Sequence, residues 1–448
     1  MLRAGQVVAA VSIALLMLGV VMVSSAGMEM GRSPGTIQSI LLGKHTLFMA
    51  GAVIGLILMA WLFPAKHIAN PPAWLAPDRS KARWGGWTVV AMWVVVIVTI
   101  AILASVYTPI GEVRKGSHRW IRLGVQDLTL QPSEFAKWIV VGLCAWYVVV
   151  IKDRLRGFFA GLLPALVAVA AISGFVAIED LGTAVLIVAV ASVMLVAGGG
   201  KVWQFVMLVP LAAGAIYTAV KLQPYRMARI TAFLDPYADA ERSGYHMIQS
   251  MVAISDGGLA GRGLGSGIQK LGYLPEDTTD FVFAIICEEL GIAGAITVSV
   301  LYVVLLWAGL AIVRKQKVLQ LKLIGLGVIA TVGIQAVINL TVVTAVGPTK
   351  GIALPLISGG GTGWFLTAAA LGVLVALDRY AVAEQAAVAD DERRVSAGLT
   401  AGSTEPASDE PASGGSHCDV AINPQHDTVQ STTDIVTAQP TDRPLAMG

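Results

Sequence analysis

The chain has 448 residues, of which 56% are hydrophobic and only 13% are charged, with a net charge of +2 and a mean hydropathy of +0.73. Soluble proteins carry roughly 25% charged residues. This composition excludes an ordinary soluble enzyme, and we expect no nucleic-acid partner. It indicates an integral membrane protein.

Apolar segments recur along the chain with short polar breaks, and each is long enough to cross about 30 Å of hydrocarbon at roughly 20 residues. They predict an all-α polytopic fold with about ten transmembrane helices, near residues 5–25, 46–63, 86–107, 134–151, 157–177, 181–198, 202–221, 280–313, 321–346 and 363–383. The first segment also resembles a signal peptide, since Arg3 precedes it. Its length and the spans that follow favour an uncleaved helix.

The distribution of lysine and arginine predicts the orientation, because basic residues are retained on the cytoplasmic side. An even number of helices with the N-terminus inside puts both termini in the cytoplasm. Two outer loops break the rule with basic residues of their own, namely Arg114, Lys115, Arg119 and Arg122 in one, and Arg226, Arg229, Arg242, Arg262 and Lys270 in the other. Either the second loop is long and acidic enough to escape the bias, or these cations hold an anionic ligand such as phosphate.

Composition also divides the chain. Residues 1–385 are predicted to form the membrane domain, with a large outer loop at about 222–279. Residues 386–448 are rich in Ser, Thr, Ala, Pro, Asp and Glu, so we expect a disordered cytoplasmic tail. Three cysteines, one of them in this tail, predict no disulfide framework.

A charged constellation lies at residues 116–138, in the sequence GSHRWIRLGVQDLTLQPSEFAKW. Glu134 and Lys137, three residues apart, are expected to share a face of the fourth helix near the outer surface. Either they form an interfacial ion pair beside the membrane anchor Trp120, or Lys137 joins Arg119 in a polar cavity.

Asp180 lies between two apolar spans, in the sequence IEDLGTA. It either caps the sixth helix, where an acid suits the helix dipole, or faces the same cavity, and capping is favoured.

An irregular stretch, AVGPTKGIALPLISGGGTG at residues 345–363, contains Lys350 and Ser358. Its prolines and glycines forbid a regular helix, and irregular backbone at membrane depth survives only where it lines protein or water. It therefore predicts a cavity.

The residue that points most directly to function is Asp280, in the sequence LPEDTTDF at the mouth of an apolar helix. A carboxylate at a membrane boundary is costly unless it is paired, hydrated or functional. On a continuous helix Glu288 would lie roughly 80° around from Asp280 and Glu289 opposite it. We expect Glu288 to face the interior, although both acids could instead pair with basic groups and fix helix packing.

Glycines cluster at residues 257–267 of the outer loop. No strand precedes them and no helix opens on them in a βαβ unit, so a nucleotide-binding interpretation is rejected. The cluster instead predicts tight turns and close backbone approach to a ligand or to neighbouring helices.

These segments together resemble a known family. RWIRLG with QPSEFAK, DLGTA, the stretch from FLDPYAD to GLG, LPEDTTDF with EELG, and PTKGIALPLIS resemble, in order, the motifs of SEDS proteins, the group that includes FtsW, RodA and SpoVE, over about residues 5–385. The PTKG and LPLIS motifs are more similar to the FtsW branch of cell division than to the RodA branch. The chain departs from the family pattern at Glu179, His246, Thr278 and residues 358–362.

The resemblance implies an inverting peptidoglycan glycosyltransferase that polymerises lipid II at the outer face of the bacterial cytoplasmic membrane, at the division septum. The 4-hydroxyl of an acceptor sugar attacks the anomeric carbon of the donor, and undecaprenyl pyrophosphate leaves. Asp280 would be the catalytic base. Implied substrate-binding residues are Arg119, Trp120, Glu134, Lys137, Asp180, Lys270, Glu276, Glu288, Lys350 and Ser358. Arg226 and Arg229 are further candidates for phosphate contacts.

The resemblance also implies partners: a class B penicillin-binding protein that crosslinks the strands, and other divisome proteins. A divalent cation, Mg²⁺ or Mn²⁺, could supplement the basic residues, although the sequence shows no closed set of metal ligands. Two other hypotheses fit the same cavity. One is a transporter that flips a lipid-linked saccharide, and the weaker one is a scaffold of the division machinery.

Overall fold

The structure is a computed structural model that describes residues 2–27, 43–70, 87–114, 117–122, 129–151, 154–276, 278–349, 351–359 and 361–401. The chain divides into two compact units, Met1–Asp390 and Asp391–Gly448. Of the second unit the structure describes helical residues as far as Ala401.

Long apolar helices dominate the described residues, and they agree with the ten predicted spans. They are α1 (Ala4–Ala26), α2 (Lys44–Leu62), α4 (Trp87–Ala104), α5 (Pro132–Ile151), α6 (Leu163–Glu179), α7 (Leu181–Ala197), α8 (Val202–Lys221), α11 (Val282–Lys315), α12 (Leu319–Val343) and α13 (Gly361–Ala401). Among the described residues, nine helical stretches are long and apolar enough to cross a membrane, and α7 is a shorter apolar helix. The all-α polytopic fold is confirmed.

Shorter elements lie between these helices. They are α3 (Ala65–Ala69), α9 (Pro224–Leu234), α10 (Tyr245–Gly257) and a three-stranded antiparallel sheet of β1 (Gly111–Arg114), β2 (Ser117–Arg122) and β3 (Thr129–Leu130). The sheet was not predicted, because strands this short give no clear alternation. The outer loop near 222–279 was predicted as irregular but contains α9 and α10. The helix α13 continues past 383, where it was predicted to end, through residues assigned to the tail; residues 402–448 lie outside the described part.

Two hydrophobic clusters form the core. One joins α1, α2, α11, α12 and α13, with Leu16, Ile286 and Leu371 among its buried residues. The other joins α4, α5, α6 and α7, and it includes Leu323 of α12. The helix α12 therefore lies between the two clusters, and polar groups near its outer end can reach both halves of the molecule.

The helix α11 is broken at Gly291, whose φ of 65° and ψ of −159° are not helical. The glycine-rich loop after α10 wraps around this break: the amide of Arg262 donates to the carbonyl of Glu288, at 2.9 Å, and that of Gly263 to Glu289, at 2.9 Å. A Cβ on Gly261 would lie 2.2 Å from the Glu289 carbonyl oxygen. Close backbone approach to a neighbouring helix, predicted from the glycines, is confirmed.

The predicted helical relation between Asp280 and the two acids is wrong. Asp280 precedes the start of α11 at Val282, so it is not part of the helix that carries them. Glu288 and Glu289 are both buried, at 0% and 1% exposure. Glu288 faces the interior as expected, but Glu289 does not lie on an opposite, exposed face, because the outer loop covers it.

Candidate active site

Asp280 is presented by a tight turn just before α11. Glu276 has a positive φ of 60°, and its carbonyl accepts from the amides of Thr279 and Phe281, each at 3.1 Å. The backbone carbonyl of Asp280 accepts from Nδ2 of Asn339 at 2.8 Å. Its side chain is partly buried, and in the described ranges its carboxylate makes no hydrogen bond or ion pair. The backbone of Asp280 is therefore fixed in position, while its carboxylate has no hydrogen-bond partner among the described residues.

The irregular segment after residue 350 packs directly against this carboxylate. A Cβ on Gly351 would lie 2.8 Å from Oδ2 of Asp280, so only glycine fits there without displacement. Two amides of α12 hold the segment: Asn339 donates to the Ile352 carbonyl and Gln335 to the Ala353 carbonyl, both at 2.8 Å. The predicted irregular backbone at this position is confirmed.

Two residues of that segment were predicted to bind substrate. Ser358 is buried, and its hydroxyl accepts from the amide of Leu354 at 2.7 Å, which closes the turn on itself. Lys350 lies outside the described residues. The structure therefore gives Ser358 a local role and leaves the prediction for Lys350 as it was.

On the other side of Asp280 lies the turn between α6 and α7. Asp180 caps α7 through the Thr183 amide at 3.1 Å and the Thr183 hydroxyl at 2.8 Å, which confirms the favoured interpretation. It also lies 3.9 Å from the Arg119 guanidinium, and Arg119 donates to the carbonyl of Glu179. Both interpretations of Asp180 hold, since it caps a helix and faces Arg119.

A small, partly open cleft lies beside this turn. Its lining includes the apolar side chains of Leu103 and Phe175 and the polar groups of His118, Arg119 and Asp180. Such a surface suits a ligand with a charged part and a hydrocarbon part.

The electrostatics of Asp280 follow from its neighbours. The pKa of its carboxyl is raised from 3.8 to about 7, first by burial and then by the negative charges of Glu276 and Asp180. Arg119 and Arg229 oppose this rise. A carboxylate whose pKa lies near neutrality can take a proton at physiological pH and is suited to general-base chemistry.

The predicted pair of Glu134 and Lys137 is confirmed, with Nζ and Oε1 2.8 Å apart. Lys137 is only 3% exposed and also donates to Oε1 of Gln335 at 2.9 Å. The pair is therefore more deeply buried than an interfacial ion pair, and it supports the α12 amide that holds the irregular segment. Lys137 does not line the cleft that contains Arg119.

Two predicted substrate residues of the outer loop and α11 lie in a different cluster. Lys270 pairs with Glu289 at 2.7 Å and donates to the hydroxyl of Ser25 at 3.0 Å. Glu288 accepts from the amides of Ile268 and Gln269 at 2.6 and 3.2 Å. Neither side chain is directed at Asp280, so the packing interpretation of these acids is the one the contacts support, and Lys270 is not exposed to a phosphate.

The two arginines of α9 differ. Arg226 is buried and donates to the carbonyls of Ala177 and Ile178 at 2.8 and 2.9 Å, which places it on the C-terminal end of α6 rather than in the expected phosphate site. Arg229 is exposed, with its guanidinium 5.7 Å from the ring centre of Tyr225. Arg229 therefore remains available beside Asp280.

Trp120 lies partly buried in β2, opposite Glu112 of β1. Two residues that were not predicted, Gln335 and Asn339, hold Asp280 and the irregular segment. The sequence did contain a signal for them, because two amide side chains four residues apart in an apolar helix share one face and need partners inside the protein.

A sequence profile of the FtsW/RodA/SpoVE family, described as cell cycle proteins, matches residues 6–383. The chain belongs to the FtsW/RodA/SpoVE family.

Named relatives in this family cover most of the chain. It is 36% identical over 374 residues to Stage V sporulation protein E of Bacillus subtilis, which covers 83% of this chain and 95% of that protein. It is 34% identical over 377 residues to the protein named "Probable peptidoglycan glycosyltransferase FtsW" of Hahella chejuensis, covering 83% and 89%.

Solved structures of the FtsW/RodA/SpoVE family share the fold. A chain from a peptidoglycan synthase complex that coordinates polymerization and crosslinking matches with a TM-score of 0.60 and 25% identity, covering 83% of this chain and 96% of that one. The rod shape determining protein RodA of Thermus thermophilus matches with a TM-score of 0.50 and 22% identity, covering 83% and 95%.

The departures from the family pattern lie around Asp280. The carbonyl of Thr278 accepts from the amide of Gly359 at 2.8 Å, which joins the two irregular segments. The ring of His246 stacks on Phe281, with ring centres 5.9 Å apart. Both residues therefore contact segments that flank Asp280.

A metal centre was considered for the acidic groups. In the parts of the chain that the structure describes, no three His, Cys, Asp or Glu side chains converge on one point. Asp180 is engaged with Thr183, and Glu276 accepts from the Thr279 hydroxyl at 3.0 Å. Within the described part of the chain these acids therefore do not form a metal cage.

Proposed function

We propose that this chain is a peptidoglycan glycosyltransferase that polymerises lipid II at the outer face of the cytoplasmic membrane. The observation that carries the proposal is the state of Asp280: a partly buried carboxylate with a pKa raised to about 7, two arginines nearby, and no partner of its own among the described residues. The name of the Hahella chejuensis relative supports the same activity.

In this proposal each group has one role. Asp280 takes the proton of the acceptor 4-hydroxyl as that oxygen attacks the anomeric carbon of the donor from the face opposite the leaving group, which inverts the configuration. The bond from that carbon to the pyrophosphate oxygen breaks, and the negative charge that develops there is stabilised by Arg119 and Arg229. The apolar part of the cleft suits the first units of the lipid chain.

The setting of the enzyme is also proposed. The amide of Gly5 donates to Asp378 of α13 at 3.1 Å, so the start of α1 and the late part of α13 meet at one end of the bundle, which supports termini on a common, cytoplasmic side. A class B penicillin-binding protein at the division septum, with other divisome proteins, would be the working partner. The structural likeness to a peptidoglycan synthase complex supports this proposal.

The decisive experiment gives purified full-length protein lipid II and Mg²⁺ or Mn²⁺, with and without the partner transpeptidase, and separates the products by size. We expect glycan chains from the wild type and a loss of about 10²–10⁴-fold in Asp280→Asn. Lipid II binding to Asp280→Asn should persist, because the change removes a proton acceptor and not a cation.

Two outcomes would reject the proposal. Translocation of lipid II across vesicles by a wild type that makes no polymer would identify a flippase. Full polymerisation by Asp280→Asn would exclude this carboxylate as the base. If the protein were only a scaffold of the division machinery, Asp280→Ala would change neither polymerisation nor translocation.

A further inference from the structure

Glu179 lies where three parts of the outer surface meet. It is the last residue of α6, and its two carboxylate oxygens accept from different elements: Oε1 from the hydroxyl of Tyr107 and Oε2 from the backbone amide of His118, each at 2.9 Å. Its own carbonyl accepts from Arg119. One residue thus connects the region after α4, the strand β2 and the side chain of Arg119.

Apart from the Glu179 carbonyl, few described contacts hold the side chain of Arg119. Its ion pair with Asp180 is long, at 3.9 Å, and its buried Nε has no hydrogen-bond partner within the described ranges. A guanidinium carries five donors, and of these the described contacts engage one with the Glu179 carbonyl and bring another nitrogen near Asp180. The position of this cation therefore depends on where β2 is held.

The packing around Tyr107 reinforces the connection. Its ring lies 5.5 Å from the ring of His118 and 6.2 Å from that of Phe175, measured between centres. A carboxylate offers two separate acceptor oxygens, one for the Tyr107 hydroxyl and one for the His118 amide. Glu179 therefore bonds to both groups at once.

We propose that Glu179 is a positioning residue: by fastening β2 to Tyr107 and to the end of α6, it holds Arg119 beside Asp280 in the orientation that the leaving pyrophosphate requires. The inference rests on the proposed function for the identity of that anion. It does not make Glu179 a catalytic group, since its oxygens are already occupied.

The inference predicts an effect on Asp280 that a purely structural residue would not have. Among the residues the structure describes, the charged groups that act on Asp280 are Glu276, Asp180, Arg119 and Arg229, and Arg119 lowers its pKa. If β2 is released, Arg119 moves away and the pKa of Asp280 rises further. In a plot of polymerisation rate against pH, the fall in rate on the acidic side then begins at a higher pH.

The test is a double-mutant cycle of Glu179→Ala and Arg119→Ala in the full-length protein, with lipid II as substrate. Glu179→Ala is expected to raise KM about 10-fold to 100-fold through misplacement of the cation. In the Arg119→Ala background the same change should alter kcat/KM by no more than about twofold, because Glu179 acts through Arg119. Tyr107→Phe, which removes one of the two bonds, should shift KM in the same direction by less.

A second readout needs no turnover. The carboxyl band of Asp280 is followed by infrared titration and identified by its loss in Asp280→Asn. Glu179→Ala and Arg119→Ala should each raise the midpoint of this titration, and the double variant should raise it no further. The matched control is Glu112→Gln, which breaks an ion pair with Arg122 in the same sheet, 3.3 Å long, and should change neither readout.

Independent, multiplicative effects of the two alanine changes would overturn the inference, and so would a Glu179→Ala protein with unchanged KM and an unchanged midpoint. Failure of the wild type to make glycan would reject the proposed function instead. The titration cycle would still decide whether Glu179 holds Arg119 beside Asp280.

Discussion

The Asp280 site and the cluster of Lys270, Glu289 and Ser25 both put ionisable groups into an apolar protein, but they differ in how completely those groups are paired. In the Lys270 cluster the lysine and the acid are 2.7 Å apart, the serine hydroxyl bonds to both, and the amide of Gly265 supplies a further donor at 3.1 Å. At Asp280 only the backbone carbonyl is engaged, at least in the ranges described.

This difference separates groups that stabilise the fold from groups available for chemistry. A buried charge with all its partners has little capacity left for a ligand, and removing one partner leaves the other uncompensated. A partly buried carboxylate without a partner has a raised pKa and can exchange a proton. The two clusters lie in neighbouring parts of the sequence, and only the contacts tell them apart.

The largest expected effect is on the paired cluster. Lys270→Met should destabilise the protein by about 3–5 kcal/mol, since it leaves Glu289 buried without a countercharge. The measurement is thermal unfolding in detergent. Lys270→Met combined with Glu289→Gln should recover most of the loss, because the amide keeps an acceptor for Ser25 and no net charge remains. If Lys270→Met were as stable as the wild type but could not bind lipid II, Lys270 would belong to the substrate site after all.

The second prediction concerns the open site and pH. Because the active form of Asp280 is ionised and its pKa is about 7, the rate should fall about tenfold per pH unit below 7, and about 10²-fold by pH 5. The measurement is the initial rate of polymerisation against pH, and a flat profile between pH 5 and 8 would contradict the assignment.

The stability of the folded protein should also depend on the ionisation of Asp280, but it should be highest at low pH, where the polymerisation rate is lowest. The folded pKa of Asp280, about 7, is higher than its ordinary value of 3.8, so the protonated group favours the folded state. That contribution is complete below about pH 4 and is lost as the pH rises through 7. Asp280→Asn should therefore have a higher Tm than the wild type at pH 8, and the difference should shrink as the pH is lowered and vanish only below about pH 4.

The spans and the position of Asp280 could be predicted because hydrophobic runs and an acid at a membrane boundary are local signals. The roles of Lys270 and Arg226 could not, since each depends on a partner far along the chain, Ser25 in one case and the carbonyl of Ala177 in the other. The break at Gly291 also escaped prediction, because one glycine in an apolar run does not reveal that a distant loop caps the helix there.

A fourth prediction tests the exposed arginine of α9, Arg229, against another exposed arginine of the outer loop. Arg229→Gln should raise KM about tenfold and move the acid limb of the pH profile upward, because an exposed cation that lowers the pKa of Asp280 is lost. Arg242→Gln, an exposed arginine of the same loop, is the matched control and should leave both unchanged. Equal effects of the two variants would point to the net charge of the loop rather than to a contact with the pyrophosphate.

The smallest expected effect tests Ser358, which resemblance alone assigned to substrate binding. Its hydroxyl accepts from the Leu354 amide inside the turn, so Ser358→Ala should cost about 1 kcal/mol of stability and change kcat/KM by no more than about threefold. Ser12→Ala is the control, since the Ser12 hydroxyl only donates within α1, to the carbonyl of Val8 at 2.7 Å. A loss of activity well beyond the loss of stability would mean that the turn opens in the substrate complex and releases the hydroxyl to the ligand. Ser358 would then join Asp280 among the open groups.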